Sequence, residues 1–200
     1  MDNLALIERT FSHIYSNNLW KKGSGPGSAP KATQDYRNFL IDTIKKTESK
    51  IILDYGCGDW QFSKLINWNN IVDKYYGVDI VDSVILENKQ KYSNNNVTFE
   101  TVNDQWQWPF VDLIVCKDVL QHLPNAFVAD LLQKMSLCSK YLLVTNDVYD
   151  KLIETNTDCQ IGKSRPLDFS YSPWSLNIIE TKTYQQIRGR IKQSILVKNI

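Results

Sequence analysis

A chain of 200 residues, 42% of them hydrophobic, can bury one sizeable core without disulfide or metal staples. Its 23 basic and 22 acidic side chains sum to a net charge of +1, which excludes a global field drawing in DNA or an anionic membrane. Cys57, Cys116, Cys138 and Cys159 form no CxxC pair and read as reduced thiols, and the start of the chain, with Asp2 and Glu8, reads as neither leader nor membrane span, so a cytoplasmic location is expected.

Leu4, Ile7, Phe11, Ile14 and Tyr15 recur at the spacing of one helix face, with His13 a packing or surface histidine. Residues 20–30, rich in Gly and Pro, read either as a flexible connection or as a lid in which Trp20, Ser24, Gly25 and Ser28 close over a ligand. A second helix is predicted over 33–46, with Tyr36, Phe39, Leu40 and Ile44 inward. These N-terminal helices and the loop, 1–46, lead into a core over 47–200, the whole being a single domain.

Ile51-Ile52-Leu53-Asp54 reads as a buried parallel strand running into the turn Gly56-Cys57-Gly58, and 60–68 follows at helical spacing. Such a turn lets a ligand approach the backbone, and a helix start would offer it unpaired N–H groups. A dinucleotide fingerprint needs a further glycine where Gln61 stands, which weakens a pyrophosphate reading. A second strand, 75–79, ends in Asp79, placed to accept both hydroxyls of a ribose. A helix over 82–91 capped by Asp82 or Ser83, a turn at Asn94-Asn95-Asn96 and a strand over 97–102 come next. Asn103 and Asp104 follow, and Trp106 and Trp108 either flank a ligand or pack.

A fourth buried strand, 111–116, leads to Lys117, Asp118 and His122, with Pro124 in the first turn of a helix whose inner face holds Phe127, Val128, Leu131, Leu132 and Met135. A fifth strand, 141–145, ends in Asn146-Asp147. Both strand ends belong on the carboxyl edge of an open α/β sheet, so His122 and Asp147 are expected to share a cleft. Residues 155–175 lack periodicity yet carry Arg165, Tyr171 and Trp174, as a substrate loop would. Two last strands, 175–183 and 193–197, are predicted to join through Arg188-Gly189-Arg190. Lys182, Arg188, Arg190, Lys192 and Lys198 face no acid in this tail and read as a solvated edge.

Leu53-Asp54-Tyr55-Gly56-Cys57-Gly58, followed in order by Asp79, Asp104 and the strand-four run, resembles class I S-adenosylmethionine-dependent methyltransferases over about 33–200. The resemblance implies an α/β, three-layer Rossmann-like fold: a seven-stranded, mostly parallel sheet with the last strand antiparallel and helices on both faces. It implies S-adenosylmethionine as cofactor, held by Trp20, Ser24, Gly25 and Ser28 of the lid, by Asp54, Gly56, Cys57, Gly58 and Trp60 at the turn, and by Asp79 and Ile80. Asn103 and Asp104 would meet the adenine, with Lys117 beyond.

A narrower pattern joins Trp20, Ser24-Gly25-Pro26-Gly27-Ser28, Gly58-Asp59-Trp60-Gln61-Phe62, the run from Lys117 to Leu123, and Gly162-x-x-Arg165. It is similar to small methyltransferases of bacterial and large-virus glycan pathways, such as the rhamnose O-methyltransferase domain of an algal-virus capsid-glycan protein. This implies methyl transfer to a sugar hydroxyl, of a deoxyhexose such as rhamnose, on a glycan or nucleotide sugar. It also implies a place in a larger multidomain glycan-synthesis protein, in the host cytoplasm if viral.

His122 is then the candidate general base with Asp147 or Asp118 to orient it, the other reading being a helix-entry histidine bonded to backbone. Arg165, Tyr171 and Trp174 would bind the sugar. Catechol-type methyltransferases, similar only in fold, place magnesium between an acid after strand four and an Asp-Asn pair after strand five. Asp118 and Asn146-Asp147 stand at similar positions with the pair reversed, which disfavours the metal. Cys116-Lys117-Asp118-Val119 departs from the run of amino-directed DNA enzymes, so no DNA substrate is expected. The competing functions are methylation of RNA or another small metabolite, and a non-catalytic S-adenosylmethionine-binding module.

Overall fold

The computed structural model of the chain describes residues 3–148, 156–174, 176–185 and 191–199, so the expected connection through Arg188-Gly189-Arg190 lies outside the described residues. The chain forms two compact units, Met1–Gln107 and Trp108–Ile200.

In the first unit, helix α1 (Asn3–Ser16) turns Ile7, Phe11 and Ile14 inward, while His13 is exposed and bonded to Asn17. Helix α2 (Gln34–Lys46) buries Tyr36, Phe39, Leu40 and Ile44, the face predicted from their spacing. Strands β1 (Ile51–Tyr55), β2 (Lys74–Asp79) and β3 (Val97–Thr101) lie parallel in the order β3-β2-β1, with Asp54 beside Gly77 and Asp79 beside Thr101. Ile52 and Leu53 are wholly buried, each such side chain contributing about 1.5–3 kcal/mol. Helix α3 (Asp82–Tyr92) packs on β2 and β3.

Two local expectations change here. Residues 60–68 form no α-helix but two single 3-10 turns, Ser63–Leu65 and Trp68–Asn70, because Trp60 takes a left-handed conformation (φ 56°) and neither turn gains a side-chain cap. At α3 the Asp82 carboxylate does not cap the helix but accepts the Thr101 hydroxyl at 2.7 Å.

In the second unit, strand β4 (Val111–Lys117), helix α4 (Asn125–Cys138) and strand β5 (Ser139–Val148) make a right-ordered strand-helix-strand run, with β4 parallel to β5 and α4 packed on β5. Strands β6 (Ile178–Gln185) and β7 (Ile191–Lys198) complete the order β4-β5-β7-β6, and β7 runs against both neighbours. The seven strands of the described residues thus keep the mostly parallel character expected, with the last strand antiparallel.

The continuous apolar runs of β4 and β5 are buried throughout their middles, as strands covered on both faces must be. The expected solvated edge is corrected at Lys192, which is 4% exposed and ion-paired to Asp118 and Asp147. The antiparallel ladder sets Lys192 directly opposite Asp147, a pairing no linear reading of the tail contains.

Candidate functional site

At the end of β1 the chain turns on two glycines with positive φ, Gly56 (76°) and Gly58 (55°). The N–H groups of Gly56 and Cys57 both donate to the Val78 carbonyl, at 2.8 and 3.0 Å. Gly58 N–H donates to Asp79 Oδ2 at 3.0 Å, and buried Asn88 on α3 donates to the Gly58 carbonyl at 2.7 Å. The turn therefore spends its N–H groups inside the fold, which corrects the expectation of a helix start presenting free donors. Asp79 Oδ1 accepts Val81 N–H at 3.0 Å, so the acid at the tip of β2 ties the turn to the start of α3. Burial pushes the Asp79 carboxyl up, against the opposing pull of the backbone donors. Ile80 beside it is half-buried, and burial also raises the Cys57 thiol.

The Gly/Pro-rich loop is docked on this turn. Ser24 Oγ donates to Asp59 Oδ1 at 2.6 Å and accepts Asp59 N–H at 3.0 Å. With its own proton given to Asp59, Ser24 receives the Tyr15 hydroxyl, 2.7 Å away, as donor. Tyr15 keeps that proton because burial, with Asp79 nearby, raises its ionisation. A Cβ on Gly58 would meet Ser24 Oγ at 2.2 Å, and one on Gly23 would meet Asp59 Oδ2 at 1.8 Å. Gly25 (φ 84°) lies under Trp20, Trp20 packs on Phe11 and Tyr15, and Ser28 Oγ donates to the Ser24 carbonyl at 3.4 Å.

Other expected cofactor residues stand elsewhere. Asp54 and Trp60 are buried in the core, joined through Tyr75: the Trp60 indole N–H donates to the Tyr75 hydroxyl at 2.8 Å, and that hydroxyl donates to Asp54. Trp60 also packs on Tyr92 and Phe99, so this pair braces β1 against β2 rather than facing a ligand. Asn103 and Asp104 are exposed beyond β3, and Asn103 Oδ1 accepts Gln105 N–H at 2.9 Å in a local turn. Trp106 is half-buried, its N–H on Glu100 at 3.2 Å and its ring 6.4 Å from that of Tyr55. Lys117, expected at the cofactor, is buried with its ammonium 2.5 Å from Asp118 Oδ2.

In the second unit His122 ends a 3-10 turn, Leu120–His122, that follows β4. Its Nδ1 lies 3.1 Å from the Lys163 carbonyl. A carbonyl only accepts, so Nδ1 carries the hydrogen and the lone pair of the neutral ring sits on Nε2. Burial pushes the ring's ionisation below the ordinary histidine value, against the pull of the Asp118 carboxylate. The backbone bond foreseen in the alternative reading is thus present, and it fixes the tautomer a base requires.

Asp118 and Asp147 converge on Lys192 Nζ, at 2.5 and 2.6 Å. Burial alone would raise the Asp118 carboxyl, but the ammonium groups of Lys117 and Lys192 outweigh it and hold it at about 2.

The expected substrate trio divides. Arg165 is buried and acts as a brace: Nη1 donates to the Gln121 carbonyl at 3.1 Å, Nη2 to Asn125 Oδ1 at 2.6 Å, and its own N–H to the Gln121 carbonyl at 3.2 Å. It therefore shapes the His122 turn instead of reaching a sugar. Tyr171 is 48% exposed, and Trp174 packs on buried Phe169 with ring centroids 5.5 Å apart. The described part of this loop is an ordered structure, because Asn156 donates to the carbonyls of Asp168 and Ser172, both at 2.9 Å, and accepts Asp168 N–H. Sequence reasoning missed Asn156, Tyr15, Asp59 and Lys192. None of them carried a signal for its partner in the sequence, and the Lys192 pairing follows only from the β5–β7 register.

No described helix is long and apolar enough to cross a membrane. No curated protein sequence matches the chain. Among solved structures it is similar to the magnesium protoporphyrin IX methyltransferase ChlM from Synechocystis PCC 6803 with bound SAM, at TM-score 0.63 and 16% identity over 99% of this chain and 98% of that one. It is also similar to DhpI in its SAH complex (TM-score 0.64, 9% identity, 96% and 95% covered) and to the N-methyltransferase NodS from Bradyrhizobium japonicum WM9 (TM-score 0.56, 11% identity, 83% and 97% covered). These likenesses show the Rossmann-like methyltransferase fold. The methyltransferase domain family matches residues 29–159, and the chain belongs to that family.

Proposed function

We propose that the chain works as a single S-adenosylmethionine-dependent O-methyltransferase domain acting on a sugar hydroxyl, of a deoxyhexose such as rhamnose, on a glycan or nucleotide sugar. The cofactor reading rests on the Gly56–Gly58 turn with Asp79. A phosphate-bearing cofactor needs free N–H donors at such a turn, and those of Gly56, Cys57 and Gly58 are committed to Val78 and Asp79. A nucleoside ligand without phosphate needs only the acid. Asp79 is held by the backbone donors of Gly58, Val81 and Ile80, its two oxygens offer about four acceptor sites in all for these and a ribose hydroxyl, and Asn103 and Asp104 lie exposed beyond β3 for the base. When bound, S-adenosylmethionine supplies an electrophilic sulfonium methyl.

The observation that carries O-methylation is the His122 tautomer. The Lys163 carbonyl accepts the Nδ1 hydrogen, so the basic nitrogen of the neutral ring is Nε2, the atom assigned to take the hydroxyl proton of an acceptor as its oxygen attacks. An amine acceptor, basic on its own, has less need of it. Exposed Tyr171, on a loop stiffened by Asn156, supports a sugar acceptor, since an aromatic face stacks on the C–H face of a sugar ring.

The test is a methyl-transfer screen against nucleotide sugars, short synthetic glycans, RNA oligomers and free metabolites, read by mass spectrometry. A product methylated on a sugar oxygen is expected. Methylated RNA alone would replace the sugar reading, and cofactor binding with no turnover on any acceptor would favour the non-catalytic module.

A further inference from the structure

Two carboxylates converge in the second unit, and the cation between them is a side chain. Asp147 stands opposite Lys192 in the β5–β7 ladder, which puts both side chains on one face of the sheet. Asp118 lies just past β4 in a left-handed conformation (φ 59°), its N–H bonded to the Thr145 carbonyl at 2.8 Å. That bend returns its carboxylate to the same ammonium. Lys192 Nζ is 2.5 Å from Asp118 Oδ1 and 2.6 Å from Asp147 Oδ1, and Lys117 Nζ takes Asp118 Oδ2 at 2.5 Å. The side chains of Lys117 and Lys192 are 3% and 4% exposed. Two acids and two bases therefore form a charge-balanced cluster, its lysines buried and its carboxylates half-buried.

A magnesium-sized ion needs carboxylate oxygens at about 2.0–2.1 Å in a near-octahedral shell completed by water. The Asp118–Asp147 pair does not fit it, because the place such an ion would take is filled by an ammonium on a strand, and a second cation there would face Lys192 and Lys117 at contact distance. We propose that Lys192 is an internal counter-cation that stands in for a metal at the Asp118–Asp147 pair and fixes it as a positioning device. The Asp147 N–H is held by Gln121 Oε1 at 2.7 Å, and its carbonyl accepts Leu167 N–H at 2.9 Å. Lys192 thus locks the end of β5 to the turn that carries His122 and to the loop at Leu167.

Removing the ammonium should uncover a cation site. Manganese(II) titrated into wild type and Lys192→Met, followed by the paramagnetic resonance of the free ion, reads this without any methyl acceptor or cofactor. Wild type is expected to leave the signal unquenched, while Lys192→Met binds one ion at least about 10-fold more tightly, in competition with magnesium, through oxygen donors that suit both ions. The site should vanish again in Lys192→Met/Asp118→Asn. Stoichiometric binding by wild type that weakens in Asp118→Asn would overturn the proposal, as would a folded Lys192→Met that binds no ion. If Lys192→Met does not fold, the wild-type and Asp118→Asn titrations decide alone.

Discussion

Asp79 has two duties at the level of single residues. It closes the glycine turn through Gly58 and Val81, and in the proposed function it receives the ribose hydroxyls. Asp79→Ala should therefore weaken S-adenosylmethionine binding by about 1–3 kcal/mol, the scale of hydrogen bonds to a charged acceptor. Calorimetry showing unchanged affinity in a folded variant would move the ribose site elsewhere. In the proposed function His122 differs in kind, because a general base contributes in the transition state. His122→Ala should lower kcat by about 10² to 10⁴ with cofactor affinity nearly unchanged. Since burial depresses the ring's ionisation, wild-type kcat should rise with pH through an inflection below the ordinary histidine value and be flat above it. A fully active His122→Ala enzyme removes the base.

Two elements owe their placement to bonds made by loops. The Gly/Pro-rich loop is fastened at Ser24, whose hydroxyl occupies the space a side chain at Gly58 would need. Gly58→Ala should cost about 1–3 kcal/mol in stability from the clash and the positive φ together. Adding Ser24→Ala should recover the steric part only, so a double-mutant cycle should give a coupling above about 0.5 kcal/mol. Strict additivity in urea denaturation would show that the loop does not sit on the turn. The 3-10 turn bearing His122 is fastened by Arg165 in the same manner. Arg165→Met, which removes the guanidinium donors to Leu120, Gln121 and Asn125 while the backbone N–H of residue 165 stays on Gln121, should cost about 1–3 kcal/mol. An unchanged urea midpoint would make Arg165 dispensable to the turn.

For the molecule as a whole, the charge-balanced cluster makes stability depend on acid. The folded Asp118 carboxyl is held at about 2 while the unfolded one titrates near its ordinary value of 3.8, so the unfolded state binds the extra proton between those values. Its contribution, about 2 kcal/mol, is fully present above pH of about 4 and is lost as pH falls towards 2. Denaturation midpoints of wild type should fall over that window, and Asp118→Asn should flatten the fall. An equal slope in both proteins would assign the acid sensitivity to other carboxylates.

Strand and helix identities were legible in the chain because they rest on local period. The runs at Ile51, Val111 and Tyr141 and the faces of α1, α2 and α4 are short-range patterns that any fold of this class must bury. The positions of the Gly-x-Gly turn, Asp79 and His122 were legible for a related reason: each ends or follows an apolar run that marks a strand within its own unit. Partnership was decided only by the tertiary structure. Nothing in 60–68 told that Trp60 would leave the helical region and bond to Tyr75, 15 residues on, which in turn bonds to Asp54, 21 residues before it. Arg165 looks like a ligand-facing cation until its guanidinium is seen on the carbonyls of Leu120 and Gln121. Lys192 looks like surface charge until an antiparallel register sets it opposite Asp147. The physical reason is common to all three: a polar group far along the chain is buried only where folding brings its partner, and sequence distance carries no record of that meeting.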